Sequence, residues 1–269
     1  SLKRVALIIQ YDGTNFSGWQ RQKHVKTVQE TLENKLKELS SENIKTFAAG
    51  RTDAGVHAAG QVIHFDTGSL IPANRWADAL NGRLPDSIRI LESVSAPNDW
   101  HACFSAIYRH YRYIINNGKI RNIFFNRWTW HKYQVKLDEN LMSRALKGMQ
   151  GKHDFFAFQK TGSSRPTSIT TIREIHLKRI GDLIYLDIKA KGFLYGMVRS
   201  IVGQLVLVGE KKISPDIFYK RWSNKQKEYI LQSAPAKGLC FVNAVYNNNL
   251  FKQIKQNDLF PKFLISDFS

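Results

Sequence analysis

Apolar and β-branched residues come in short runs along the chain, separated by polar, glycine-marked stretches. The run from Arg4 to Tyr11 reads as a strand, stopped by the turn dipeptide Asp12-Gly13. Thr27-Val28-Gln29-Glu30 has the spacing of a capping box, in which the Thr hydroxyl and the Glu carboxylate each take a free N–H at a helix start. Val28, Leu32, Leu36 and Leu39 then recur at helical spacing. Gln61 to Asp66 alternates as a strand does, Trp76 to Leu80 predicts a short helix, and Ile88 to Val94 a further strand. The first hundred residues therefore predict β, α, loop, β, α, β.

The second half has the same style without a visible repeat. Arg109 to Ile115 predicts a strand with Tyr111, Tyr113 and Ile115 on one face. Asp138 is placed to cap a helix carrying Leu141, Ala145, Leu146 and Met149. Residues 157–171, rich in Ser and Thr with Lys160, Gly162 and Pro166, read as a mobile loop. Leu183 to Lys189 predicts a strand, Gly196 to Val208 a helix apolar nearly all round and hence buried, and Lys237 to Tyr246 a last strand. A polar tail opens at Asn247-Asn248-Asn249 and runs to Ser269. Mixed elements with hairpin-like linkers predict an α+β fold: two α/β-mixed lobes sharing an antiparallel-rich sheet.

Charge narrows the partners. The 269 residues include 40 Lys and Arg against 22 Asp and Glu, a formal charge of +18. Such an excess attracts polyanions, whether nucleic acid, anionic membrane or acidic protein, and says nothing about catalysis. Hydrophobic residues at 43% exclude general disorder. The longest apolar runs fall well short of the ~20 residues of a membrane helix. There is no charged segment leading into an apolar signal core, which points to the cytoplasm. Cys103 and Cys240 are far apart and read as reduced thiols. The phosphate-loop, H-E-x-x-H, C-x-x-C and G-x-S-x-G patterns are missing, and the eight histidines show no ligand spacing, so neither a metal site nor a metal-dependent nuclease is expected.

Three residues could carry chemistry. Asp53 sits in Gly50-Arg51-Thr52-Asp53-Ala54-Gly55-Val56-His57, beside a guanidinium that favours its ionised form. Alone, it could be a nucleophile, a base, a cap or a turn former. Arg199 starts the apolar helix opposite the stripe Met197, Ile201, Leu205 and Val208. It could pair with a carboxylate, Asp53 being the candidate, reach solvent, or bind a phosphate. Tyr111 lies in Arg109-His110-Tyr111-Arg112-Tyr113, where rings and cations alternate as suits RNA, though an ordinary edge strand looks the same. The clusters Arg21–Lys26 and Lys119–Arg127 read either as RNA contacts or as solvated faces.

An ordered series along residues 4–246 decides among these readings. It comprises Tyr11-Asp12-Gly13-Thr14, Gly18-Trp19-Gln20-Arg21-Gln22, Thr27-Val28-Gln29, the Gly50–Ala58 element, Phe104-Ser105-Ala106, Arg109 to Tyr113, His153-Asp154-Phe155, Gly192-Phe193-Leu194, Met197-Val198-Arg199 and Gly238-Leu239. In this it resembles the TruA family of tRNA pseudouridine synthases. The resemblance implies isomerisation of uridine to pseudouridine at positions 38, 39 and 40 of the tRNA anticodon stem-loop, with no metal or organic cofactor. Asp53 matches the catalytic aspartate, Tyr111 the active-site tyrosine and Arg199 the arginine paired with the aspartate. Arg51, Arg21, Gln22, His57, Arg109 and Tyr111 would bind substrate. It also implies a homodimer, and two lobes with a basic cleft between them: 1–105 carrying the aspartate, 106–246, and the tail 247–269. A catalytically silent tRNA binder would share the charge but would not need Asp53, Tyr111 and Arg199 together. Four residues depart from the pattern: Trp100 where the family usually has Phe, Cys103 where it usually has Arg, Glu210 where glycine is common, and Phe241 where an aliphatic residue is common.

Overall fold

The computed structural model describes residues 1–255 and 258–260. They form two compact units, one of residues 1–109 with 240 onward, the other of residues 110–239. The grouping follows contacts rather than chain order, so the last strand and the segment after it belong with the first unit.

In the first unit, β1 (Lys3–Tyr11) lies between β4 (Ile88–Ala96) and β3 (His57–Thr67), antiparallel to both. The two-residue β2 (Phe47–Ala48) pairs with β3. β10 (Leu239–Tyr246) joins β3 in parallel, with Cys240 opposite His57 and Phe241 opposite Ala58. Helices α1 (Val28–Ser40) and α2 (Trp76–Asn81) bring Leu32, Leu36 and Trp76 into the core, and Trp76 meets Phe65 edge-on at 5.1 Å. The segment after β10 is strapped down: the Glu92 carboxylate accepts the backbone N–H groups of Lys252, Gln253 and Ile254 at 3.0–3.1 Å. Gln10 donates to the Leu259 carbonyl, and Leu259 packs with Ala59, Cys240 and Val242. Of the predicted tail, residues 256–257 and 261–269 lie outside the described residues.

The chain enters the second unit inside β5 (Ala106–Asn116). There the sheet order is β5, β9 (Leu183–Ala190), β8 (Ile169–Ile180) and β7 (Gly151–Asp154), with β6 (Trp130–His131) parallel to β5. Helices α3 (Glu139–Ala145), α4 (Met197–Gly209) and α5 (Pro215–Ser223) pack on one another. Only Arg199 and Leu207 of α4 escape burial, as its all-round apolar pattern requires. Both units are thus antiparallel-rich sheets with helices, the expected α+β class.

Several local expectations are corrected. β3 begins at His57, four residues early, because it is buried on both faces and so lacks the alternation of a half-exposed strand. The capping box is half made: Thr27 accepts from the Glu30 N–H, whereas the Glu30 carboxylate takes Arg21. Asp138 caps α3 as expected, but the helix ends at Ala145 and Gly148 turns at φ +90°, leaving Met149 buried outside it. The predicted loop 157–171 is shorter at both ends: Ala157 and Phe158 are buried in a 3-10 turn, and β8 has begun by Ile169.

Candidate active site

Asp53 is half-buried on the tight turn that feeds β3, with its carbonyl accepting the Val56 N–H at 3.0 Å. The turn is clamped by the segment after β1. Trp19 N–H donates to the Thr52 carbonyl and Gly55 N–H to the Phe16 carbonyl. The Tyr11 and Thr52 hydroxyls share a buried hydrogen bond of 2.7 Å. Two glycines allow the approach. A Cβ on Gly13 would lie 2.0 Å from the Val56 carbonyl oxygen. One on Gly18, itself at φ +86°, would lie 2.7 Å from that of Thr52. The Tyr11-Asp12-Gly13 and Gly18-Trp19 elements are therefore the mould of the Asp53 turn.

The same mould uses His57. Its Nδ1 accepts the Gly13 N–H at 2.9 Å and lies 3.4 Å from the Asp12 carboxylate. Burial alone would raise the Asp12 pKa, yet the His57 ring beside it and the bonds from the Thr14 N–H and hydroxyl hold it well below the usual carboxylate range. The Arg109 guanidinium donates to the Ala49 carbonyl and to the Cys103 carbonyl, both at 2.8 Å, bracing the start of the same loop.

In the second unit, Tyr111 on β5 is 7% exposed and meets Phe193 edge-on at 4.7 Å. Arg199, on the first turn of α4, is locked to Ala234: its Nε donates to the Ala234 carbonyl at 2.7 Å, and Ala234 N–H donates to its own carbonyl at 2.9 Å. Next to Tyr111, Tyr113 donates its hydroxyl proton to the Pro235 carbonyl at 2.7 Å. Beneath this face Asp187 accepts from His110 at 2.5 Å and Arg112 at 2.9 Å. Burial works to raise the Asp187 pKa, but the His110 bond and the Arg112 charge hold it down at about 2. Burial also lowers the His110 pKa, so that ring is a neutral donor. The strand that carries Tyr111 is thus fixed by one buried carboxylate.

A sequence model described as tRNA pseudouridine synthase matches residues 7–105 and 145–247, three-quarters of the chain. The chain belongs to the tRNA pseudouridine synthase family. A protein named tRNA pseudouridine synthase A from Prochlorococcus marinus subsp. pastoris is 68% identical over 268 residues, covering 100% of both chains. The like-named protein of Prochlorococcus marinus strain MIT 9515 is 65% identical over the same span. An archaeal box H/ACA sRNP Nop10–Cbf5 complex overlays with 10% identity and a TM-score of 0.36, covering 87% of this chain and 58% of that one, too remote to carry weight.

Asp53 and Arg199 fall inside the segments matching the family model, and Tyr111 between them. Asp53 lies in the first unit and Tyr111 and Arg199 in the second. Of the other expected substrate contacts, Arg51 is exposed two residues from Asp53. His57 is only 4% exposed and Arg109 grips backbone carbonyls, so both brace the loop from within. Arg21 is shared between Glu30 and Glu33, each at 3.1 Å, and a phosphate would compete with both for it. Gln22 donates to the Ser17 carbonyl in the same loop. Tyr11 and Thr52 hold the Asp53 turn although neither suggested chemistry; both lie in the same ordered series of motifs as Asp53. Among the departures, Cys103 lies against Arg109, Glu210 pairs with Lys132 at 3.4 Å, and Phe241 is buried opposite Ala58, next to the Asp53 turn. Among the described residues no group of three or more His, Cys, Asp or Glu could hold a metal ion, and no helix is long and apolar enough to cross a membrane.

Proposed function

We propose that this chain isomerises uridine to pseudouridine at positions 38, 39 and 40 of the tRNA anticodon stem-loop, with Asp53 as the catalytic nucleophile. The observation that carries it is the mould around Asp53: two close glycine contacts, three backbone bonds and a buried hydroxyl pair fix one half-buried carboxylate. The full-length relatives bearing this enzyme's name support the substrate.

The reaction breaks the N1–C1′ bond, turns the uracil, and bonds C5 to C1′ with loss of the C5 proton. Asp53 supplies the carboxylate that forms the transient covalent bond, at C6 of the base or at C1′. Tyr111 offers a ring edge-braced by Phe193, suited to stack on an extruded base, and a hydroxyl for the C5 proton. Arg199 contributes positive charge that favours the ionised carboxylate. Arg51 is the exposed cation placed for a phosphate beside the target. The enzyme acts as a homodimer in the cytoplasm.

The test is tRNA carrying tritium at uridine C5. Wild type releases tritium to water, and Asp53→Ala releases none while still binding tRNA. Equal release by the variant overturns the nucleophile assignment, and no release by wild type overturns the activity.

A further inference from the structure

The loop after β5, which carries the cationic cluster 119–127, builds a hollow in the second unit that the reading above leaves unused. The loop, β6 and the turn at 235–237 line an open hollow of about 520 Å³. Lys119, Arg121 and Lys237 line it, with no carboxylate among the lining residues. Among the described residues none of the three forms an ion pair; Lys237 only approaches the Asn126 amide oxygen at 3.4 Å. Nearby, Glu210 is held by Lys132 and Lys212, and Asp182 packs on Gly118. The hollow therefore presents net positive charge, with Asp182 beside Gly118 offsetting part of it.

Its other wall is aromatic and already set. His131 donates Nε2–H to the Gly118 carbonyl at 2.8 Å, fixing its ring plane. Tyr133 stacks on that ring at 4.6 Å and 27°, yet remains 51% exposed. Trp130 stands edge-on to Tyr113 at 6.4 Å. A base laid on Tyr133 would find a held platform, with little side-chain freedom left to lose. Pro235, which lines the hollow, accepts the Tyr113 proton, and its neighbour Ala234 holds Arg199. One short segment thus supports both the hollow and a residue assigned to the reaction. Residues 106–144, which supply most of the hollow, lie between the segments matching the family model.

We propose that this hollow is a nucleotide subsite: it stacks one base of the anticodon arm, a neighbour of the target uridine, on Tyr133, and holds the adjoining phosphates with Lys119, Arg121 and Lys237. This rests on the RNA-modifying reading. The exposed Ile120, Ile123 and Phe124 beside it would suit a protein contact instead, and the test separates the two.

Full-length chain is titrated with a synthetic anticodon stem-loop and with whole tRNA over a range of KCl, with sedimentation run in parallel. Tyr133→Ala should weaken stem-loop binding about fivefold or more, the low end of one base–aromatic stack, and Tyr133→Phe should restore it. Lys119→Ala with Arg121→Ala should lower the slope of log affinity against log salt by about 1.4, at about 0.7 per phosphate on a single strand. In tritium release the losses should fall on KM. Unchanged stem-loop binding by both variants overturns the subsite, as does a loss confined to whole tRNA or one that tracks altered self-association. A wild type that binds the stem-loop through Tyr133 but releases no tritium would overturn the activity and leave the subsite standing.

Discussion

Replacing Tyr11 by Phe tests whether the mould around Asp53 is held by the bond between the Tyr11 and Thr52 hydroxyls. The two residues are 3% and 6% exposed, so water cannot substitute for a lost partner, and the oxygens are 2.7 Å apart. Burial pushes the Tyr11 phenol up to about 12, so it keeps its proton at working pH. Removing the phenol leaves the Thr52 hydroxyl buried without this partner, at about 1–3 kcal/mol, whereas the phenol, which Gln61 also hydrogen-bonds, keeps a partner when Thr52 is changed. Against a total stability of about 5–15 kcal/mol the variant still folds. At ~3 °C per kcal/mol its melting temperature should fall by ~3–9 °C. Thr52→Val should lower it less, because Gln61 still bonds the Tyr11 hydroxyl, while the double variant, apolar on both sides, should melt no lower than the worse single one. That is a coupling of about 1–2 kcal/mol. Thr52 precedes Asp53, and a misplacement of about 1 Å can cost roughly 100-fold in rate. In each single variant kcat for tritium release should fall by about 10- to 100-fold with little change in KM for tRNA, because no phosphate contact is touched. Effects that add within about 0.5 kcal/mol would refute the bond. An unchanged kcat would refute its role in holding Asp53.

Three further outcomes follow from other contacts. Gly18→Ala should retain tRNA binding but lose at least about tenfold in kcat, since its new Cβ would press on the Thr52 carbonyl from a left-handed backbone; an unaltered kcat would contradict the mould. Glu92→Ala strips the acceptor from three backbone N–H groups, so trypsin should cut after Lys252 and Lys255 much sooner, and equal cleavage times by mass spectrometry would argue against the strap. Burial, aided by the charges of Arg4 and His101, pushes the His64 imidazole down to about 4 from its ordinary 6.5. The unfolded chain binds that proton first, so stability is full above about pH 6.5 and is lost as pH falls toward 4. Wild type should therefore lose more melting temperature over that window than His64→Asn, which keeps an acceptor for the Ala102 N–H; parallel curves would dismiss His64 as a source.

What the sequence concealed has local causes. β8 escaped notice because its register shifts between Ile172 and Glu174. Thr170 and Ile172 face inward before the shift and Ile175 and Leu177 after it, so the two-residue rhythm changes phase. α5 buries only Phe218 and Trp222, too few for a visible stripe; its start is fixed by Ser214-Pro215, with the Ser side chain accepting from the Ile217 N–H. The catalytic assignment of Asp53 was legible only through company: alone it is one acid in a glycine-rich loop, and the residues that mould it lie about 35 to 42 positions upstream. The bracing roles of His57 and Arg109 were hidden because a histidine or arginine that grips backbone reads the same in sequence as one that grips phosphate.

The division of the chain also sets an order of assembly. Residues 110–239 form one continuous stretch, whereas the unit holding Asp53 is interrupted and is completed only when Cys240 and Phe241 pair beside His57 and Ala58. During synthesis the Tyr111 and Arg199 unit can close on itself while the Asp53 unit still lacks a strand and its strap. A polypeptide stalled anywhere before residue 240 would hold Asp53 on an unfinished sheet, without the strand that sets Cys240 and Phe241 beside His57 and Ala58.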